Sequence, residues 1–173
     1  SLKPFQDKNV ELEKKSDILY SIGIEGEDSE LLFDEYIIDQ LVIQDGEIVS
    51  SDIKAFDIDM AAAVKELNNI RKVPLFKAFK EGNTFYVIPM RGKGLWGPIW
   101  GYISLKGDGN TILGASFDHE KETPGLGAEI STSIFQDQFP NKVLFSESRD
   151  GIEVRKGDAS GYQQVDGISG GTI

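Results

Sequence analysis

Residues 75–90, LFKAFKEGNTFYVIPM, decide how this chain folds. Two runs of apolar and β-branched or aromatic residues flank a Gly82-Asn83 step, so the stretch reads as strand, tight turn, strand. The pattern returns at 101–119, GYISLKGDGNTILGASFDH, around Gly107-Asp108-Gly109-Asn110. It also precedes, since 35–51, EYIIDQLVIQDGEIVSS, predicts two strands joined at Asp45-Gly46, a pair that reaches positive backbone angles cheaply. Successive hairpins of this kind make an antiparallel meander.

Helical spacing surrounds the meander. Residues 7–26 predict a helix with Val10, Ile18, Leu19 and Ile22 on one side and Gly23 or Gly26 as its stop. Residues 57–70 predict a second, capped by Asp59, with Met60, Val64 and Leu67 at helical steps. Residues 125–140 predict a third, carrying Leu126, Ile130 and Ile134 and ending before Pro140, followed by a hairpin at Asp150-Gly151. Hairpins with helices between and beside them define an α+β fold, an antiparallel sheet flanked by helices, within a single domain over 1–173. No repeat, linker or low-complexity tract interrupts it.

Composition narrows the function. The 173 residues are 39% apolar and 10% aromatic, an ordinary globular balance, and no window approaches the ~20 apolar residues of a membrane span. Acidic residues outnumber basic ones 29 to 18, and a net charge of -11 repels phosphate backbones, so nucleic acid is not the expected partner. Without cysteine there is no disulfide, thiol chemistry or thiolate metal site. His119 is the single histidine, which leaves neither a nitrogen-rich metal site nor the base of a Ser-His-Asp triad. The opening Ser1, with no signal peptide before it, is read as a cut made after a removed targeting or anchoring segment.

Three stretches stand out, each with an ordinary explanation beside a chemical one. In 91–105, RGKGLWGPIWGYISL, glycines alternate with Leu95, Trp96, Trp100 and Tyr102, which suits stacking of a planar ring but equally a glycine-kinked strand whose tryptophans fill core or an interface. In 118–130, DHEKETPGLGAEI, Thr123-Pro124-Gly125-Leu126-Gly127 falls where a helix begins, aiming unpaired N–H groups outward, yet a threonine cap with proline in the first turn needs no ligand. In 162–173, YQQVDGISGGTI, Ser169, Gly170 and Gly171 leave the Thr172 hydroxyl accessible for attachment, although a Gly- and Ser-rich chain end is commonly frayed.

Taken together, GLWGPIWGYISL, HEKETPGLGAEI and DGISGGT resemble, in order and spacing, the extracytoplasmic flavin-carrying domain of the NqrC family, a component of sodium-translocating NADH:quinone oxidoreductases. The ETPGLG signature, Glu122 to Gly127, is shared with the corresponding flavin-carrying component of Rnf electron-transport complexes and the wider FMN-binding superfamily, while GKGLWGPIWGYI is closer to NqrC. The resemblance implies FMN joined through its phosphate to Thr172, with Ser169, Gly170 and Gly171 completing the attachment motif at 165–173. Gly171 stands where the family usually has alanine. It further implies an isoalloxazine near Thr123 and Leu126 on the loop of Glu122, Gly125 and Gly127. Attachment would need a flavin transferase that draws on FAD and magnesium. The other subunits of a membrane complex would be the partners. A transmembrane helix would precede the helix of 1–25, anchoring the domain outside the bacterial inner membrane. The chain would then be an electron carrier within a translocase, with no catalytic or metal-binding residue of its own. The equivalent FMN-carrying component of an Rnf-type complex and a module binding flavin noncovalently are the alternatives.

Overall fold

Tight turns build the centre of the molecule. In the computed structural model, which describes residues 2–169, strands β1 (Ile37–Gln44) and β2 (Glu47–Ile48) meet at Asp45-Gly46, where φ is 51° and 79°. Those paired positive angles are the ones a two-residue hairpin of matching twist requires. Strands β3 (Lys72–Lys80) and β4 (Asn83–Lys93) turn at Glu81-Gly82, with φ of 51° and 78°, so Lys80 pairs with Asn83. The expected Gly82-Asn83 turn therefore lies one residue too late: glycine takes the second left-handed position, and Asn83 already belongs to the strand. Strands β5 (Pro98–Leu105) and β6 (Ile112–His119) extend an antiparallel sheet of order β2-β1-β3-β4-β5-β6.

One face is covered from the N-terminus. Helix α1 (Lys3–Ser21) lays Ile18, Leu19 and Ile22 against Phe76, Val87 and Tyr102 of the sheet. It ends at Gly23, φ 73°, where Gly23 N donates to Tyr20 O at 2.9 Å and Ile24 N to Leu19 O at 3.0 Å, the paired bonds that close a helix on a left-handed glycine. Ser104 Oγ donates to Ser21 O, and Gly114 leaves the room that this approach needs. Val10, expected on the buried side, is exposed, because α1 overhangs the sheet there. Helix α2 (Ser29–Tyr36) was not expected; Asp28 caps it by accepting from Leu31 N at 3.0 Å, and Phe33 joins Phe56 and Phe76 in an edge-to-face cluster. Buried Lys15 pairs with Glu11 of its own helix at 3.2 Å and ties α1 to α2 through Glu30 at 3.7 Å.

The helix expected over 57–70 is one turn, α3 (Met60–Ala63). Asp59 caps it as foreseen, but Leu67 is 72% exposed, and Arg71 takes the Ala63, Val64 and Glu66 carbonyls that a longer helix would have used.

The opposite face of β4, β5 and β6 is covered from the C-terminus. Ile103, Leu105, Ile112 and Ala115 pack with Phe139 and Val165. In place of one helix over 125–140 there is a 3₁₀ turn (Gly127–Ser131), then α4 (Ser133–Gln136), broken by extended Thr132 with ψ of 154°. The four-residue spacing that suggested a continuous helix fails at Ile134, which is 82% exposed, because Phe135 and Phe139 face Phe117 instead. Strands β7 (Glu153–Arg155) and β8 (Gln164–Asp166) are parallel, so the hairpin expected at Asp150-Gly151 does not form. The reversal falls before it, where Ser146 N bonds Arg149 O and Phe145 bridges Asp150.

Asp17 lies partly buried where α1 meets the sheet, and burial, then the charges of Asp118 and Glu13, push its carboxyl up to about 6 from 3.8. A raised acid pKa means the folded state binds the extra proton, so wild-type stability falls as pH climbs from about 4 through 6 and stays lowered above it. Asp17→Asn is expected to stabilise the fold by on the order of 2 kcal/mol at neutral pH and by little near pH 4. Urea midpoints at both pH values check this; equal gains at both would refute it.

Candidate functional site

At the end of the sheet where β4 turns into β5, two glycine-rich loops come together around one acid. Glu122 is 7% exposed, and its Oε1 accepts the Trp96 backbone N–H at 2.9 Å. A Cβ on Gly94 would overlap that oxygen, and one on Gly127 would overlap Oε2. Only glycine at these two positions lets both loops close on the carboxylate. The Glu122 N–H donates to His119 Nδ1 at 3.2 Å, so the single histidine serves as an acceptor at the exit from β6. Gly94 N bonds Gly97 O at 2.7 Å, which closes the Gly94–Gly97 turn on itself.

The loop that follows is only partly the expected helix start. Among the described residues the Thr123 hydroxyl caps no N–H group; its carbonyl accepts from Leu126 N at 3.0 Å and Ala128 N at 3.2 Å. Gly125, with φ of 75°, gives its N–H to Glu129 Oε1 at 3.0 Å. Several of the N–H groups expected to point outward are therefore occupied, and among the described residues the N–H groups of Thr123 and Gly127 remain without an acceptor. Thr123, Pro124 and Gly125 are exposed, Leu126 is 41% exposed, and across the Glu122 link Trp96 is 64% exposed. Trp96 is thus not in the core, one of the two places expected for it, while half-buried Trp100 lies with its ring centroid 6.0 Å from the Arg91 guanidinium. Free N–H donors beside exposed leucine and tryptophan suit a flat, electron-rich ring.

Of the expected attachment motif, Ser169 is exposed, and Gly170, Gly171 and Thr172 lie outside the described residues. The chain leading to them is moored. Gln138 and Asp166 exchange two side-chain-to-backbone bonds of 2.7 and 3.1 Å, and Gly167 N donates to Arg155 O at 2.8 Å. The sequence singles out Glu122 with its loop, but the inward aim at Trp96 is not legible there. The signal is present all the same: glycines at 94 and 127 mark close approaches on both sides of one acid.

Residues 94–173 match the model of the FMN-binding domain, the class to which the fold conforms. The NqrC component of the Na(+)-translocating NADH-quinone reductase from Vibrio campbellii is 30% identical over 99% of this chain and 76% of its own length, and that from Haemophilus ducreyi is 32% identical over 99% and 75%. The crystal structure of the same component from Parabacteroides distasonis has a TM-score of 0.89 at 40% identity, covering all of this chain and 87% of the other. NqrC of Shewanella oneidensis, at 24% identity and TM-score 0.78 over 92% of this chain and 84% of the other, shares the fold. The chain belongs to the NqrC family of Na(+)-translocating NADH-quinone reductases.

If Glu122 holds the two loops together, Glu122→Ala will speed hydrogen exchange at the Trp96 amide, whereas Glu122→Gln, which keeps an acceptor oxygen, will largely preserve protection. Gly127→Ala should lower stability by about 1–3 kcal/mol through overpacking. Unchanged exchange in Glu122→Ala would remove the carboxylate from this role.

Proposed function

We propose that this chain is the FMN-carrying electron-transfer domain of a membrane-bound Na+-translocating NADH–quinone reductase. The observation that carries the reading is the extent of the FMN-binding match, from Gly94 to Ile173, which takes in both the Glu122-centred loops and the tail. The flavin is held covalently, its phosphate esterified to Thr172. A flavin transferase using magnesium catalyses attack of the Thr172 oxygen on FAD; AMP leaves, and the hydroxyl proton passes to the transferase. Ser169, Gly170 and Gly171 give that enzyme access to the hydroxyl.

Bound there, FMN supplies reversible electron uptake. The protein's part is to orient it and set its electrostatics. Thr123 and Gly127 offer N–H groups to an electron-rich ring edge, Leu126 offers an apolar face, and Gly125 turns the loop outward. Glu122 holds the loop from behind rather than touching the ring. A phosphodiester prevents loss of the cofactor without demanding high affinity from so open a surface. NADH is oxidised elsewhere in the complex, whose other subunits are the partners. A transmembrane helix upstream anchors the domain on the extracytoplasmic side of the bacterial inner membrane.

The test is intact-mass measurement after denaturation of the protein coexpressed with a flavin transferase. An added FMN unit that is lost in Thr172→Ala is expected; an unmodified chain beside a positive transferase control overturns covalent attachment and leaves a noncovalent module.

In the flavinylated protein, Thr123→Ala and Leu126→Glu are each expected to shift the midpoint potential while leaving the added mass intact. Spectroelectrochemical titration checks this, and unchanged potentials in both variants would place the ring elsewhere.

A further inference from the structure

Beside the two loops that Glu122 joins, the sheet carries a cavity of about 190 Å³, lined by Met90, Gly92, Ile99, Phe117 and Ile130, with Arg91 and Trp100 at its edge. Strand alternation sorts these walls. Val87 of β4 and Tyr102 of β5 pack toward α1, so Met90, Gly92 and Ile99 face the opposite side, as does Phe117 through its pairing with Gly101. Arg91 and Trp100 pair with each other on the α1 side and bound the cavity only along its rim. Two glycines make the hollow. Gly92 puts no side chain into it, and Gly101 lets Phe117 lie directly over β5, where a Cβ would overlap the ring.

Both glycine-rich loops run into this cavity. Gly92 stands just before Gly94, and Ile99 just after Gly97, while Ile130 ends the turn that begins at Gly127; Gly94 and Gly127 are the two glycines pressed against the Glu122 carboxylate. The cavity therefore adjoins the surface where the N–H groups of Thr123 and Gly127 stay open and Leu126 is half exposed. The path to the tail meets it as well. The Phe117 ring centroid lies 5.2 Å from that of Phe139, which shares a buried cluster with Val165 of β8.

The two halves of this surface differ in chemistry. The loop at 123–127 offers hydrogen-bond donors, whereas the side chains of Met90, Ile99, Phe117 and Ile130 offer hydrocarbon and one thioether sulfur. The charged side chain at the rim, Arg91, is taken up over the Trp100 ring, 6.0 Å from its centroid. An isoalloxazine is divided in the same way: its pyrimidine edge is polar, and the ring at its far end is a benzene bearing two methyl groups. An apolar cavity of about 150 Å³ is known to accept benzene, so one somewhat larger suits a benzene with two methyl groups. Methionine sulfur also packs favourably at an aromatic edge.

We propose that the cavity walled by Met90, Gly92, Ile99, Phe117 and Ile130 seats the dimethylbenzene end of the flavin, whose polar edge meets the open N–H groups of Thr123 and Gly127. The proposal rests on the reading of the chain as an FMN carrier and adds positioning residues that lie outside the ETPGLG loop. The tether at Thr172 keeps the cofactor present, and the cavity fixes which way its ring lies. Burial of the apolar end supplies that orientation without hydrogen bonds.

The test begins with an NMR titration of the methyl-labelled protein, before flavinylation, with o-xylene, beside uracil as a polar ring of similar size. Saturable shifts at the Met90, Ile99 and Ile130 methyls are expected with o-xylene alone. Gly92→Leu, at a position where a Cβ makes only ordinary contact with Ile99, should weaken o-xylene binding by about tenfold or more, the loss expected when about two methylene-sized contacts are displaced. Met90→Glu, at a residue 45% exposed and so tolerated by the fold, should weaken it too. The titration is then repeated on the flavinylated protein, where the cavity should no longer respond to o-xylene. In flavinylated Gly92→Leu and Met90→Glu the flavin fluorescence should lose anisotropy and become more open to iodide quenching, while intact mass still shows the FMN. No saturation with o-xylene, equal binding of uracil, or a cavity that stays open in the flavinylated protein would each overturn the proposal while leaving the FMN carrier standing. A wild-type chain that gains no FMN beside a positive transferase control overturns the carrier reading itself, and this seat for its ring with it.

Discussion

The carboxylate of Glu122 occupies the space that side chains at 94 and 127 would otherwise fill, and the exposed surface at that end of the sheet takes its shape from this. A buried acid is costly unless it is hydrogen-bonded, and here the Trp96 N–H supplies the bond. The loop after β4 and the loop after β6 are thereby joined although 26 residues separate the bonded pair. With them come Leu126, Trp96 and the open N–H groups of Thr123 and Gly127. The surface proposed to carry the flavin is thus built from behind, by a residue that does not face it.

The same sheet divides its labour between two faces. Over β4 to β6 the C-terminal third covers one side, placing the 3₁₀ turn, α4 and β8 around Phe117 and Val165, so the loop at 122–127 and the strand that leads to the tail belong to one layer. The other side is covered by α1 and α2, whose packing is tight at Ile18 and Leu19 and open at Val10. An unpaired Asp17 at that opening is a local weakness that a fold selected for stability alone would replace.

What the sequence made legible follows the physics of short range. The Asp45-Gly46 turn was readable because two adjacent positive φ angles demand particular residues, and the Asp59 cap because a side-chain oxygen reaches N–H groups two and three positions on. The helices over 57–70 and 125–140 were not, since spacing promises a helix only if something covers its apolar stripe, and nothing covers Leu67 or Ile134. Helix α2 was hidden by its acidic residues, and β7 with β8 by a parallel pairing that local signals do not encode. At the site, the ETPGLG loop and its family were readable as a pattern of types in order. That Glu122 reaches Trp96 depends on the pairing of β4, β5 and β6, which only the folded chain sets.

The mooring of the chain before its tail has a mechanical consequence. Strand β8 lies alongside β7 in parallel, and the backbone of Asp166 is gripped from both sides of its peptide by Gln138. A pull applied beyond Ser169 runs along β8 and loads these bonds in shear, several at once, instead of peeling them one after another. Whatever handles the end of the chain can therefore tug on it without unzipping the layer that carries the Glu122 loops.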